Sequence, residues 1–598
     1  MSKKQKNLLP IDYTHREFSS IQEDLLEIAE RFYPDSFQDF SEASFGSLMI
    51  DAVAYVGDQL SFYLDYNVNE SFLDTAYQYS NVVRHGRALG YKFEGRPSTY
   101  GTLAMFILVP ASTTGIGPDT DYLPILKRGS SFSSANGLSF VLTENIDFSN
   151  PRNLFVAARN DSTTGAPTFY AVKAYGNVVS GQFGQEQIEV GSYERFKRIA
   201  LQTENISEII SVVDADGTEY FEVDYLAQDV IFKEITNPNF KLDNVPSIIK
   251  PLLVSRKYIT QFERNQVILQ FGSGKFNESD VVANPQSVAV NVFGKNYVNL
   301  PTFDPSRLSE NESFGIVPTN TTLTVTFRTT NGINSNVSIG SLNSVSTGLF
   351  EFVNQQDLVG SKVASIRSSL EVSNEEVISG DVSLPTTNEI KQRIYDTFPT
   401  QNRAVTQADY ENICYRMPAK FGSIKRVSVQ KDADSQKRNL NMYVVSEDTA
   451  GKLTETNSTI KNNLKTWVNQ YRMINDTVDI LDPFILNFGI EFVVRPQTSS
   501  DKFIVLDNCI EALQEHYKQP FFIGEPLYIS DIYKVLKDVV GVLDVLKVKV
   551  FSNSGGQYST SSLDFDENIS SDGSYLAVPN NAILELKFPE IDIVGKLK

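Results

Sequence analysis

The chain opens on a helical rhythm and later changes it. Phe18, Ile21, Leu25, Ile28 and Phe32 recur at alternating spacings of three and four, which is a seam along one side of a helix. Thr14 and Glu17 precede the seam in capping-box order, each side chain placed to satisfy an orphan N–H of the first turn, and Pro34 closes it. Two heptads do not hold a coiled coil alone. The seam therefore reads either as one strand of a helical bundle or as an amphipathic helix lying on its own domain. A longer pattern follows. Phe45, Leu48, Met49, Ala52, Val53, Val56, Leu60 and Leu64 mark one face, and Tyr55, Phe62, Tyr63 and Tyr66 widen it beyond a single stripe. Such a helix needs neighbours on more than one side. A third helix is expected over 75–89, with Gly90 placed to end it in left-handed backbone.

From Tyr100 the period falls to two. "GTLAMFILVP" reads as a buried strand, and Asn136-Gly137 sits between short strand-like pieces as a hairpin turn. Leu323, Val325 and Phe327 alternate with Thr324, Thr326 and Arg328 before a second turn pair, Asn331-Gly332. After about 375, helices return among strands. Thr406 and Asp409 form a capping-box pair, followed by Tyr410, Ile413, Cys414 and Met417 on one apolar side. Two strands, a helix over 454–471 and a short strand at "VDILDPF" complete that unit. A second unit of similar element order begins where Leu486, Phe488, Ile490, Phe492 and Val494 share a face. It continues through helices at "VLDNCIEALQEHY" and "ISDIYKVLKDVVG" to a strand with Leu546, Val548 and Val550 inward and Lys547 and Lys549 outward.

The pattern therefore predicts a multidomain α+β protein with a helical N-terminal region, an antiparallel β-rich middle and two small α+β domains at the C-terminal end. The expected boundaries are an assembly region over 1–95, β domains over 96–180 and 181–345, and a connector over 346–390. Two α+β domains follow, over 391–484 and 485–598, the second carrying a polar loop at 552–574.

Composition narrows the function. A formal net charge of −20 repels phosphate backbones, so no nucleic acid is expected as a partner. No apolar run is long enough to span a bilayer, so no membrane partner is expected either. Cys414 and Cys509 are too few for a disulfide framework, which points to folding in a reducing cytoplasm. His15, His85 and His516 have no metal-ligand spacing. "FGSGK" at 271–275 resembles a phosphate loop at first sight, but Leu269 stands where Gly is needed and Phe276 where Ser or Thr is needed. Asp214, Asp216 and Gly217 lack the remaining ligands of a calcium loop, and in 564–569 Ile569 replaces the required Gly. No nucleophile elbow or activated thiol emerges. The reading is of no enzyme, no cofactor, no metal.

Several stretches in order are similar to the baseplate J family, structural proteins of contractile phage tails and related injection machines. They are "QVILQFGSGKFNE", "TTLTVTFRTTNGINSNVSIGSLNSV" and "TQNRAVTQADYENICYRMPAKFGSIKRVSV". The helical stretch from Phe45, the segment "LPILKRGSSFSSANGLSFVLTENIDF" and "EPLYISDIYKVLKDVVGVLDVLKVKV" agree as well. The family-motif positions are Phe271, Gly272 and Gly274 in the first stretch and Arg403, Ala404, Thr406, Asp409 and Tyr410 in the third. Ser273 and Phe276 depart from the family's acidic residue and second Gly, at a turn whose role is structural. Length and the N-terminal helix point to wedge-forming members, as in T-even-type phages.

The resemblance implies a role and a place, in the virion's tail baseplate. A homodimer within each wedge would join another wedge protein through a helical bundle built from Phe18, Ile21, Leu25, Ile28, Phe32, Leu48, Ala52, Val53, Val56 and Leu60. Neighbouring wedges would close a six-fold ring around the hub, touching sheath-initiator and hub-proximal proteins, and would take part in the switch that releases sheath contraction. The competing expectation is a peripheral fibre-type or host-binding tail protein, for which the chain lacks fixed-period repeats.

Overall fold

The structure is a computed structural model that describes residues 16–32, 44–92, 97–112, 117–236, 247–263, 266–275, 314–330, 334–353, 355–383, 385–432, 439–497 and 501–598. Thr14, His15, Pro34, Phe276 and the Asn331-Gly332 turn lie outside those residues. The chain is a multidomain α+β protein that divides into two units, one of residues 1–92 with 385–401 and one of 93–384 with 402–598.

In the first unit, α1 (Phe18–Phe32) lies antiparallel along α2 (Phe45–Glu70). Arg16 pairs with Asp65 at 2.8 Å near one end, and Gln22 donates to Asp51 at 2.6 Å further along. Between them Ile21 sits on Gly57, where an added Cβ would come within 3.2 Å of the Ile21 Cδ1. Ala54, three residues before Gly57, is fully buried. Small residues thus let the two helices approach closely.

The third helix starts later than its periodicity suggests. Glu70, buried at the end of α2, accepts from the Tyr77 N–H (2.8 Å), the Gln78 N–H (3.1 Å) and the Asn81 amide (2.9 Å). These bonds, that from Asn81 first, hold the Glu70 carboxyl below its usual range. They fix 71–78 as a turn, so α3 spans Tyr79–Ala88. Gly90 follows at φ +90, in the expected left-handed cap. A fourth helix, α4 (Thr387–Thr400), completes the unit: Thr386 caps it by accepting from the Glu389 N–H, and Lys391 donates to Asp74 O at 2.7 Å. Its Ile390 and Ile394 are fully buried.

The second unit begins with a seven-stranded sheet built around β1 (Tyr100–Pro110) and β2 (Pro167–Ser180), antiparallel neighbours in register from Tyr100↔Val179 to Pro110↔Phe169. The Asn136-Gly137 hairpin forms as expected, joining strands 131–134 and 139–142 with Gly137 at φ +80. Part of the segment expected as a connector joins this sheet: Glu371–Ser373 is an outer strand, Val363 and Ile366 of the helix Gly360–Ser368 enter its core, and Leu342–Thr347, which runs into that segment, is the outer strand on the other side.

Between leaving that sheet at Ser180 and returning at Leu342, the chain builds a second seven-stranded sheet from β3 (Gln182–Val190) to β4 (Thr321–Thr329). It is not wholly antiparallel, because strand Glu219–Glu222 pairs in parallel with strand Lys257–Glu263. Glu186 reaches from β3 to the N–H groups of Gln202 and Thr203 (3.0 and 3.3 Å), tying this edge strand to the loop after strand Arg198–Ala200, the sheet's other edge. Arg328 of β4 joins the two sheets. Fully buried, it pairs with Glu208 at 2.8 Å and donates to Ser180 O at 2.6 Å and to the Ser98 hydroxyl at 3.0 Å.

The first α+β domain packs α5 (Gln407–Tyr415) and α6 (Ser458–Val468) against strands Arg426–Lys431, β5 (Asn439–Glu447), Leu453–Glu455 and Thr477–Leu481. The helix expected over 454–471 is shorter because Leu453–Glu455 pairs with β5 and Asn457 caps α6. In the last domain β6 (Phe484–Pro496) is central, with β7 (Val542–Asn553) on one side and strands Ala582–Glu585 and β8 (Ile593–Leu597) on the other. Helices α7 (Lys502–His516) and α8 (Ile529–Asp538) bury Cys509, Leu513, Ile532 and Leu536 against it. The closing strand departs from simple alternation. A bulge makes Val493 oppose Lys547 while Val494 opposes Val545, so Leu546 is the extra residue and is 42% exposed. Val545, Val548 and Val550 take the inward positions instead.

Candidate assembly interface

Among the described residues of the first unit, α2 carries a broad uncovered apolar surface. Its N-cap Ser44 accepts from the Ser47 N–H, and the helix then runs 26 residues with scarcely a charge outside the α1 side. At about 100° per residue, the side facing α1 holds Ala54 and Gly57, and the opposite side carries the bulky residues. Leu48 is 61% exposed, Val53 55%, Val56 54% and Leu60 58%, and Ala52 is exposed with them. From Tyr55 and Phe62 at one margin to Val53 and Leu64 at the other, this apolar arc covers about 200° of the helix. A single neighbouring helix covers far less than that. The margins differ in chemistry: Phe62 stacks on Tyr66 at 6.2 Å on one, and Met49, Val53, Val56 and Leu60 form an aliphatic heptad-like row on the other.

The α1 seam is divided differently. Ile21, Leu25 and Phe32 are half-buried, whereas Phe18 and Ile28 are exposed. α1 therefore spends part of its seam on α2. Tyr395 and Phe398 of α4 are also exposed, residues the sequence reading did not single out because their helix lies 300 residues downstream.

The family-motif residues occupy structural positions. Phe271 is fully buried between Tyr220 and Tyr258, with ring centroids at 5.6 and 6.0 Å. Gly272 is required by a close crossing: a Cβ there would sit 1.9 Å from Phe314 O. Gly274 donates to Gly315 O (2.8 Å) and accepts from Val317 N–H (2.9 Å), while the Lys275 ammonium lies over the Tyr193 ring. The turn thus uses backbone groups to bind its own chain. Thr406 and Asp409 make both bonds of the capping box. Ala404, fully buried, bonds through its N–H to Tyr471 O, and Arg403 beside it is exposed. Tyr410 is buried and donates to Asp476 at 2.8 Å; burial, with that carboxylate, pushes its pKa to about 12.

Chemical candidates elsewhere are quiet. Both thiols are buried. Burial pushes the Cys414 thiol far up and Cys509 to about 11, and Cys414 lies 3.4 Å from the Met442 sulfur. Among the described residues no group of His, Cys, Asp and Glu is arranged to hold a metal ion, and no helix is long and apolar enough to cross a membrane.

Residues 14–88 match the family model of the bacteriophage baseplate protein N-terminal domain. That segment holds α1, α2 and α3. No curated protein matches the chain. Among solved structures, the cryo-EM baseplate of the anti-feeding prophage overlaps 96% of this chain and 90% of its own, at 9% identity and a TM-score of 0.24. The TssK-TssF-TssG baseplate subcomplex of the type VI secretion system overlaps 73% and 96%, at 10% identity and a TM-score of 0.22.

Proposed function

We propose that the chain is a non-enzymatic structural subunit of a contractile-tail baseplate, forming wedges that close into the inner ring around the hub and take part in the switch releasing sheath contraction. The observation that carries this reading is the coincidence of the baseplate N-terminal match with the uncovered apolar arc of α2. An arc of about 200° asks for at least two further helices, which a second copy of the chain and a different wedge protein supply. The aliphatic row and the aromatic margin give those two partners chemically distinct seams. Contacts with neighbouring wedges, sheath-initiator and hub-proximal proteins fall to the second unit.

Cross-linking mass spectrometry on purified tail particles tests this. Links from 44–70 to a second copy and to another tail protein are expected. A chain absent from the particles, or linked only at a fibre tip, would end the proposal.

A further inference from the structure

The last domain covers one face of its sheet with α7 and α8 and leaves much of the other face open. Residues directly opposite one another in neighbouring strands share a face. Phe488, Ile490, Phe492 and Val494 of β6 point into the core. Glu491, Val493 and Arg495 therefore point out. Register carries this face across the sheet: Glu491 lies between Lys549 of β7 and Val594 of β8, Val493 between Lys547 and Lys596, and Arg495 opposite Asp544. At the Gly489 end the outer face is covered by the chain around Asp592, which accepts from Asn553 and Tyr558 (2.8 and 2.6 Å). Beyond Glu491 it is uncovered.

This open face runs against the charge of the molecule. In a chain of net −20, Arg495, Lys547, Lys549 and Lys596 gather there with only Glu491 and Asp544 among them, around Val493 and an exposed Val594. Glu491 is already engaged. Its hydrogen bond from Lys596 comes first among the causes that hold its carboxyl below the usual range, and Lys547 and Lys549 add to it. One carboxylate surrounded by three ammonium groups leaves positive charge uncompensated over an apolar centre. Edge-to-edge pairing on β7 is discouraged by its bulge and its lysines, so the face, rather than the edge, is what a partner can use.

We infer that the open face of this last sheet docks a carboxylate-rich surface of a different polypeptide. Nucleic acid is the weaker fit, because the whole molecule repels it and a central glutamate sits where a phosphate would lie. The complementarity is electrostatic, so it steers and orients the partner and weakens with salt.

The test uses the full chain, tagged at a remote end and isolated with whatever it binds in the cells that make it. Zero-length carbodiimide coupling is expected to join Lys547, Lys549 or Lys596 to Asp or Glu of another protein. Acetylation of these lysines should be about ten-fold slower than in the free chain, with Lys502 and Lys518 unchanged as exposed references. Both effects should fade at about 1 M salt, where screening acts within about 3 Å. The Lys547→Glu, Lys549→Glu variant should lose that one protein while keeping the wild-type circular dichroism and melting curve. A chain that purifies alone, or lysines labelled as fast as when free, would overturn the inference. So would coupling to a second copy of this chain, or protection by nucleic acid.

Discussion

Glu585 shows how much a single buried side chain can hold. One carboxylate oxygen accepts from the Leu453 N–H of the preceding domain (2.7 Å) and the other from the Asn487 amide (2.8 Å). Asn487 cannot turn round, because its own oxygen accepts from the Ser559 N–H at 2.7 Å. The site thus presents two donors and demands two acceptors. Glu585→Gln places an NH₂ group against one of those donors, at a cost of about 1–3 kcal/mol. The expected readout is hydrogen exchange at the Leu453 amide, at least about ten-fold faster in the variant at pH 7. Burial, the largest influence, raises the Glu585 pKa. A raised carboxyl contributes stability that is complete below the ordinary glutamate value and lost as pH rises through the folded value. The gap between wild type and variant should therefore widen as pH falls from 7 toward that ordinary range. An unchanged gap would mean that Glu585 does not titrate there. Such a residue is invisible to local reading, since Leu453 is 132 positions away. Thr406 and Asp409 were legible for the opposite reason: both halves of a capping box lie within one turn.

Elements followed their periods where each face had one job. The 3.6-residue pattern located α1, α2, α5, α7 and α8, and the two-residue pattern located β1, β4 and β6. Errors arose where a side chain from elsewhere took over the backbone, as Glu70 does before α3, or where an extra residue broke the alternation, as at Leu546 in β7. The candidate interface was only half legible. Periodicity placed the apolar residues on α2, but which of them α1 would cover depended on where the small residues fell. That division makes a paired prediction. Val56→Glu with Leu60→Lys should leave the melting temperature of the isolated chain within about 2 °C, because both positions are exposed and surface changes cost little, while abolishing, in size-exclusion chromatography, the association through α2 that the proposed function requires. Gly57→Leu should do the reverse damage, lowering the stability of the first unit by about 1–3 kcal/mol through overpacking against Ile21. If both variants lowered the melting temperature alike, α2 would be a core helix and the arc would have no partner.

At the scale of the whole molecule, nesting was what the pattern did not announce. The chain leaves the first sheet, builds the second, returns, and then gives α4 to the helices at its start. Nothing local marks α4 as their neighbour; Ile390 and Ile394 look like any apolar pair on an amphipathic helix. Deleting 1–92 should therefore not yield a clean truncation, since it strips the cover from those two fully buried side chains. Multi-angle light scattering is expected to find this truncation aggregated, and to find it monodisperse once Ile390→Ser and Ile394→Ser are added. A soluble, monodisperse single deletion would mean that α4 does not depend on the N-terminal helices.

The discontinuity of the first unit also sets a clock during synthesis. About 300 residues separate α3 from α4, and at about 5–20 residues per second the ribosome takes about 15–60 s to cross that interval. Through most of it, α2 and α3 have emerged but lack α4, while the sheets that come between α3 and α4 in sequence are still being made. A nascent chain in that state is the natural client of a chaperone, and the first copy to finish will meet others still waiting.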